Sequence, residues 1–508
     1  MSVISPELNA AVNSLPEFYQ PIFNHPEWND KPLRNCEDRL PYIKNIYDAL
    51  SEKLQRPLRV LDLGCAQGFF SLNIAKRGGY VVSVDLRPQN ITLGNILAAE
   101  NPDLKIRFVQ AKIEEFVTTI QDGEYDLVLM LSVLHNMSKY LGVKFVQDMV
   151  EELSKKIHNG IFEFALEGVH RSYIPKNYRD FLPGFDFTIM LMQSDSRKRN
   201  GVKRPLCFSS NKYLYFEKLG MLQIDQISYN VHSYLAKTDV MHYYCGDKFV
   251  KYFYVKGQGQ LNKAQTEINF LQSFGGQNGL PKLYAVHAEQ DEGGMQIFIV
   301  RDKIEGVTLA EKISSGENLD RWNVIKQALK WMVLLEEQGY YHGDIQTSNF
   351  IFGNDGRVYP IDYEEIRKIP VVNIWPYKPV LLFFIFMNSV LEPNNKPFAF
   401  HRQPQLLTKL KNYIPAKKYE QILKIKESEK YFARLYEILF ESATVEDSVE
   451  GYTMAELETL AIEKYLEEIG QMLKVYQEKF QKMDALIDIV INQQKQIEQL
   501  ENIIKGGD

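Results

Sequence analysis

The segment YYHGDIQTSNFIFGNDGRVYPIDYEE, residues 340–365, carries the densest set of chemically capable side chains in the sequence. Asp344 and Asn349 stand five residues apart after His342, and Asp362 follows 18 residues beyond Asp344. Phosphoryl transfer needs a carboxylate to orient the attacking hydroxyl, plus an Asn and an Asp to hold magnesium against the phosphates. Upstream, Lys251 lies in the strand-like run FVKYFYV and Glu267 in the helix-like KAQTEINFLQSF. They match the lysine that grips ATP phosphates and the glutamate that orients it. A second constellation lies in VLDLGCAQGFFSLNIA, where Gly64 and Gly68 let backbone approach a ligand and the following helix start favours a negative or polar group. Asp85 ends the next apolar run, 21 residues after Gly64. Doubly wound folds place the acid that receives ribose hydroxyls there. QAKIEEF (110–116) could wall a base, and LMLSVLHNM brings Ser132, His135 and Asn136 to a strand end. His135 there orients an acceptor, acts as a base, or caps the next helix.

These residues need elements to hold them. LRVLDL (58–63), YVVSVD (80–85), KIRFV (105–109), YDLVLML (125–131) and GIFEFAL (160–166) are continuous apolar runs separated by helical stretches. That pattern predicts a parallel sheet covered on both faces, an α/β Rossmann-like core. LPEFYQPIF and CEDRLPYIKNIYDALSEKL precede it and are expected to pack as an N-terminal cap. LQIDQISYNVHSYL and HYYCGDKFVKYFYV begin a strand-rich stretch that gives way to helices, as in a small sheet lobe before a helical one. The boundary is placed near residue 220. From residue 455 a seam from Ile462 to Ile504 alternates spacings of three and four, eleven of its thirteen positions apolar, which predicts a coiled coil with Gln493 fixing register. The expected domains are 1–220, 221–450 and 455–505.

The turn GCAQG lacks the GxGxxG of dinucleotide folds. D-L-G-C-x-x-G followed by Asp85 and the 126–131 strand instead resembles the class I S-adenosylmethionine-dependent methyltransferases. That resemblance implies that Asp62, Gly64 and Gly68 flank the methionine part of the donor, that Asp85 holds its ribose, and that Ile113 beside Glu114 lines its adenine. The other loop reads H-G-D rather than H-R-D, with I-D-Y-E in place of D-F-G, no APE segment and no glycine-rich loop before Lys251. It resembles the bilobal kinases of small molecules and carbohydrates, of the aminoglycoside-phosphotransferase kind.

Methyltransferase, kinase and coiled coil in this order, with LPEFYQPIFNHPEW, VLDLGCAQGFFSL, LSVLH, RPLCFSS and EINFL, resemble the bifunctional methyltransferase–kinases that terminate bacterial polymannose O-antigen chains. By that resemblance the kinase phosphorylates the non-reducing terminal sugar of a lipid-linked polysaccharide and the methyltransferase methylates that phosphate. Asp344 would orient the sugar hydroxyl, Asn349 and Asp362 hold magnesium, and Lys251 grip ATP. Tyr19 and Arg39 would lie over the methyl donor and the acceptor phosphate, with Arg204 either a second phosphate cation or a surface ion-pair partner. A mannosyltransferase-type polymerase is the implied partner, and the coiled coil implies a homo-oligomer, dimer or trimer. The departures are the residue before Asp344, Gly343 where family members carry an acid, and the end at KGGD, where they continue into basic amphipathic helices; the latter implies a truncated form or recruitment by a partner.

Length and charge agree with this. A chain of 508 residues holds two or three domains, and 59 basic against 65 acidic residues argue against a nucleic-acid binder. Four scattered cysteines without a CxxC pair support neither zinc nor disulfides, so a cytoplasmic enzyme is expected, with room for peripheral association at the inner membrane. Neither a signal peptide nor a membrane span is legible. Two alternatives stay open. One is a donor-dependent sugar O-methyltransferase with a regulatory or inactive kinase-like module. The other is a scaffold whose coiled coil sets the geometry of a glycosyltransferase.

Overall fold

Strands buried on both faces need apolar residues throughout, and the first half of the chain supplies five. The computed structural model describes residues 5–34, 36–164, 178–195, 203–229, 240–290, 293–369, 377–392, 407–423, 425, 430–441, 470, 473, 474 and 477. After α1 (Pro6–Asn13) and α2 (Leu40–Leu54), β1 (Arg59–Leu63), β2 (Tyr80–Asp85), β3 (Ile106–Gln110), β4 (Leu127–Leu131) and β5 (Asn159–Glu163) run parallel. They alternate with α3 (Phe69–Lys76), α4 (Pro88–Glu100), α5 (Ile113–Thr119) and the pair α6 (Leu134–Leu141) and α7 (Val143–Lys156). β6 (Phe187–Asp195) and β7 (Lys203–Ser210) complete a sheet of order β3-β2-β1-β4-β5-β7-β6, with β7 antiparallel to both neighbours. Strand order reverses between β1 and β4, which opens the ligand crevice of a doubly wound sheet at its carboxyl edge.

The segment before β1 is packed in place. Leu8, Ala11 and Val12 of α1, with Ile22, Phe23 and Trp28, bury against Ile91, Leu93 and Leu97 of α4 and against Phe108. Each such burial stabilises by about 1.5–3 kcal/mol, enough to hold a leader with little regular structure. α2 spaces Ile43, Ile46, Tyr47 and Leu50 at helical intervals, and all four are buried.

β8 (Tyr213–Phe216) and β9 (Gly220–Gln223) form a hairpin. β10 (Gln226–Tyr229), β11 (Val240–Cys245), β12 (Lys248–Val255), β13 (Leu283–Gln290) and β14 (Met295–Asp302) form a second sheet, ordered β10-β11-β12-β14-β13. The chain divides into two compact units: Met1–Tyr229, Thr238–Gly257 and Tyr284–Arg301 in the first, and Asn230–Lys237, Gln258–Leu283 and Asp302–Asp508 in the second. The small sheet therefore clusters with the first unit, fixed by an aromatic set in which Phe298 lies 5.3 Å from Phe187 and 5.9 Å from Phe216.

The second unit contains α8 (Gln258–Phe274), β15 (Gly306–Thr308), α9 (Leu309–Ser314), α10 (Arg321–Glu337), β16 (Tyr340–His342), β17 (Phe350–Gly353), β18 (Val358–Pro360), β19 (Ile366–Lys368), α11 (Tyr377–Leu391), α12 (Ala416–Leu423) and α13 (Tyr431–Phe440). Thr308 and Glu311 cap α9 reciprocally, and Asp320 caps α10 through the Asn323 amide. α11 is a strongly apolar helix in which Phe383, Phe386, Met387 and Val390 are buried. Apart from Gly470, Leu473, Lys474 and Gln477, the expected coiled coil lies outside the described residues. No helix among the described residues is long and apolar enough to cross a membrane.

Candidate functional site

β1 runs into a turn that only glycine can form. Gly64 has φ +82° and a Cβ there would come within 2.6 Å of Val133; Gly68 has φ +77° and a Cβ would meet the Phe108 ring at 2.8 Å. The backbone between them is consequently open to a ligand. Asp85, at the end of β2, accepts from the Ala66 amide at 3.0 Å, the Arg87 amide at 2.8 Å and Asn90 Nδ2 at 3.0 Å. A carboxylate offers about four acceptor positions, so about one remains for a ribose hydroxyl. Gln67 ties the turn to the leader: its Oε1 accepts from the Gln20 amide at 2.9 Å, and its Nε2 donates to Asn90 Oδ1 at 2.9 Å. Asp62 is buried and accepts from Ser71 Oγ at 2.5 Å. Burial pushes its carboxyl up to about 7 despite that hydrogen bond. Ile113 opens α5 with its Cδ1 3.6 Å from the Cβ position of Gly64. Asp62, Gly64, Gly68, Asp85 and Ile113 thus gather at one end of the sheet.

Beside them, the ends of β4 and β5 carry a charged cluster. Glu163, fully buried, accepts from Arg34 Nη2 at 2.6 Å, from Arg39 Nη1 at 2.7 Å and from Ser132 Oγ. Ser132 has φ +61°, a strained conformation of the kind found at binding sites, and its Oγ also receives Arg204 Nη1 at 2.9 Å. Arg39, 1% exposed, packs its guanidinium over the Phe70 ring at 5.2 Å. Tyr19 lies within electrostatic range of Arg39 and Arg204, and its carbonyl accepts from the Arg34 amide at 3.1 Å. Val133 is the N-cap of α6, so helix capping is not the role of His135. Burial, with Arg204 and Arg34 nearby, pushes the His135 imidazole down to about 4, leaving it neutral at pH 7. The sequence reading missed Arg34 and Glu163. An acid inside the apolar run GIFEFAL was the available signal, because a buried carboxylate demands a cation.

The second constellation is held by main-chain bonds. His342 is buried, its Nδ1 accepts from the Asp344 amide at 3.1 Å and its Nε2 donates to the Ile361 carbonyl at 3.1 Å. The two backbone partners fix the tautomer, since one can only donate and the other only accept. Asn349 Nδ2 donates to the Asp344 carbonyl and to Asp344 Oδ2, both at 2.9 Å, and Gln346 donates to Asp344 Oδ1. The Ile361 amide donates to the Asn349 carbonyl at 2.8 Å, and the next residue, Asp362, adopts φ +66°. The loop therefore joins Asp344, Asn349 and Asp362 through His342 and Ile361. Asn349 and Asp362 offer hard oxygen donors that fit magnesium. Among the described residues no group of three or more His, Cys, Asp and Glu could hold a metal; an ion bound by one or two side chains plus phosphates needs none. Lys251 is buried in β12 of the first unit with its ammonium 4.9 Å from the Phe253 ring, and Glu267 is fully buried in α8 of the second.

A parallel sheet with a bare glycine turn and an acid at the end of β2 is the fold of the Rossmann-like methyltransferases, and residues 60–160 match the family model described as a methyltransferase domain. The likeness then extends over both units to one particular protein: the chain is 32% identical over 414 residues to WbdD of Escherichia coli, described as an O-antigen chain terminator bifunctional methyltransferase/kinase. The match takes in 78% of this chain and 57% of that relative, so the chain spans a little over half of its length. A medium-resolution structure of WbdD superimposes with a TM-score of 0.70 and 27% identity, covering 90% of this chain and 99% of the other. A WbdD structure with its C-terminal bundle ordered gives 0.76 and 26%, covering 96% and 100%. The fold is accordingly a Rossmann-like methyltransferase followed by a kinase-like part.

Proposed function

We propose that the chain is a bifunctional enzyme that phosphorylates the non-reducing terminal sugar of a lipid-linked O-antigen polysaccharide with ATP and methylates that phosphate with S-adenosylmethionine, so ending elongation. The observation that supports this most is a likeness to WbdD that takes in 78% of the chain by sequence and 90% by fold. In the kinase step Asp344 orients the sugar hydroxyl and takes its proton as the oxygen bonds to the terminal phosphorus and ADP departs. Asn349 and Asp362 would hold magnesium, which supplies positive charge against the phosphates. Lys251 and Glu267 each carry the nucleotide-binding role that their resemblance implies.

In the methyl step a phosphate oxygen bonds to the methyl carbon while the carbon–sulfur bond breaks, leaving a neutral thioether. The sulfonium is already a good leaving group, so the residues mainly align donor and acceptor. Asp62, Gly64, Gly68, Asp85 and Ile113 seat the donor, Tyr19 and Arg39 lie over the donor and the acceptor phosphate, and His135 orients the acceptor. A mannosyltransferase-type polymerase, a peripheral place at the inner membrane and assembly through residues 455–505 complete the proposal.

Mass spectrometry of an O-antigen oligosaccharide incubated with ATP and donor, separately and together, tests it. The wild type should add phosphate with ATP, and methyl only when ATP is also present. Asp344→Asn should lower phosphate transfer by about 10²-fold or more yet still methylate a phosphorylated glycan. Methyl incorporation without ATP would instead favour a sugar O-methyltransferase.

A further inference from the structure

The charges around Glu163 do not cancel. Three guanidiniums, Arg34, Arg39 and Arg204, converge on one buried carboxylate and one hydroxyl. Asp38 reaches Arg39 Nε at 3.3 Å from the rim, where its side chain is 34% exposed and its charge is screened by water. Burial lowers the Cys36 thiol's tendency to ionise, so the sulfur beside Arg39 Nη2 brings no negative charge. His135 adds none either. Among the described residues the cluster therefore carries an excess of positive charge in a place where uncompensated charge is costly. Arg34 Nε and Arg204 Nε, moreover, are buried and donate to no acceptor. Buried guanidinium donors without partners call for an anion.

Resting on the methyl-transfer reading above, we propose that Arg34 and Arg204 form a clamp for the oxygens of a phosphomonoester dianion, and that Glu163 is the positioning residue that holds Arg34 and Arg39 in place. The location suits the role. Ser132 is followed by Val133, whose side chain overhangs the Gly64 turn, so an anion on Arg204 and Arg34 lies beside the donor end of the sheet. The clamp also explains how one site can refuse an unphosphorylated sugar. A neutral hydroxyl would leave two cations unpaired and would need a base to lose its proton, whereas a phosphate dianion balances the charge and attacks without losing one. Substrate selection by charge would then enforce the order of the two reactions.

The test uses the full-length chain and chemically synthesised phosphomonosaccharides, which bypass the kinase. Arg34→Met and Arg204→Met should each raise the acceptor KM by about tenfold to a hundredfold, with donor affinity by calorimetry unchanged. Arg34→Lys should recover part of that loss, which a purely structural ion pair would not produce in KM alone. Glu163→Gln should raise the acceptor KM less than either arginine variant. A measurement on the wild type covers the case in which a variant fails to fold: inorganic phosphate should inhibit competitively against the acceptor and not against the donor. Unchanged acceptor KM in folded arginine variants, or phosphate that does not compete, overturns the clamp while leaving the methyl-transfer reading intact. A wild type that methylates neutral glycan but no phosphomonoester overturns both.

Discussion

A histidine held near 4 stays uncharged across the range in which methyl transfer would be assayed, and this bears on its role. His135 sits among cations, and both its burial and Arg204 and Arg34 oppose protonation. It can accept or donate one hydrogen bond to a phosphate without adding charge, which suits orientation better than acid catalysis. Its folded value lies below the ordinary 6.5, so it costs stability only as pH falls from about 6.5 towards 4. His135→Gln should lower kcat for methyl transfer to a phosphorylated glycan by about tenfold. The pH–rate profile of wild type and variant should keep the same shape between pH 5 and 8, with one limb near the second phosphate ionisation, about 6. A limb lost only in the variant would mark His135 as a titrating base instead.

Between elements, the amino ends of three parallel strands are pinned by one residue, through its carboxylate and its main-chain carbonyl. Asp126, just before β4, accepts from Arg56 Nη1 and Nη2, each at 2.7 Å, and from the Arg59 amide and Nη2, each at 2.8 Å. Its carbonyl receives Asn159 Nδ2 at 2.9 Å. Burial alone would raise its carboxyl, yet the bonds from Arg56 and Arg59 hold it well below the usual range. Because both guanidiniums are more than 40% exposed, their attraction is partly screened. Asp126→Asn should cost about 1–3 kcal/mol at neutral pH. A depressed value stabilises above the unfolded one near 3.9 and is lost as pH falls below it, so wild type and variant should converge in urea titrations below pH 4. The parallel strands were legible because buried strands leave unbroken apolar runs. β6 and β7 were not: β6 shifts register between Met190 and Met192, which breaks any period. Asp344 and Asn349, five apart, could be read as a pair, whereas Arg34 and Glu163 are 129 residues apart and only the folded sheet brings them together.

At the scale of the molecule, the small sheet that sequence patterning assigned to the kinase half clusters with the methyltransferase core. One buried acid secures it: Glu289 of β13 accepts from Tyr178 Oη at 2.8 Å, Arg179 Nη2 at 3.1 Å and the Met190 amide at 2.7 Å. Burial would raise its carboxyl, but His287, Arg179 and the Met190 amide keep it lowered. A fragment ending at residue 220 would strip Tyr178, Arg179 and Met190 of that acceptor and bare Phe187 and Phe216. It should unfold at lower urea than the same region within the full chain and bind more of a hydrophobic dye. Equal midpoints would show that the sheet contributes nothing. The Glu289 knot also constrains inheritance. Recombination that swapped phosphotransfer halves among related genes would preserve a working donor half only if the crossover carried the five strands along with it. The heritable block is therefore larger than the part that touches the methyl donor.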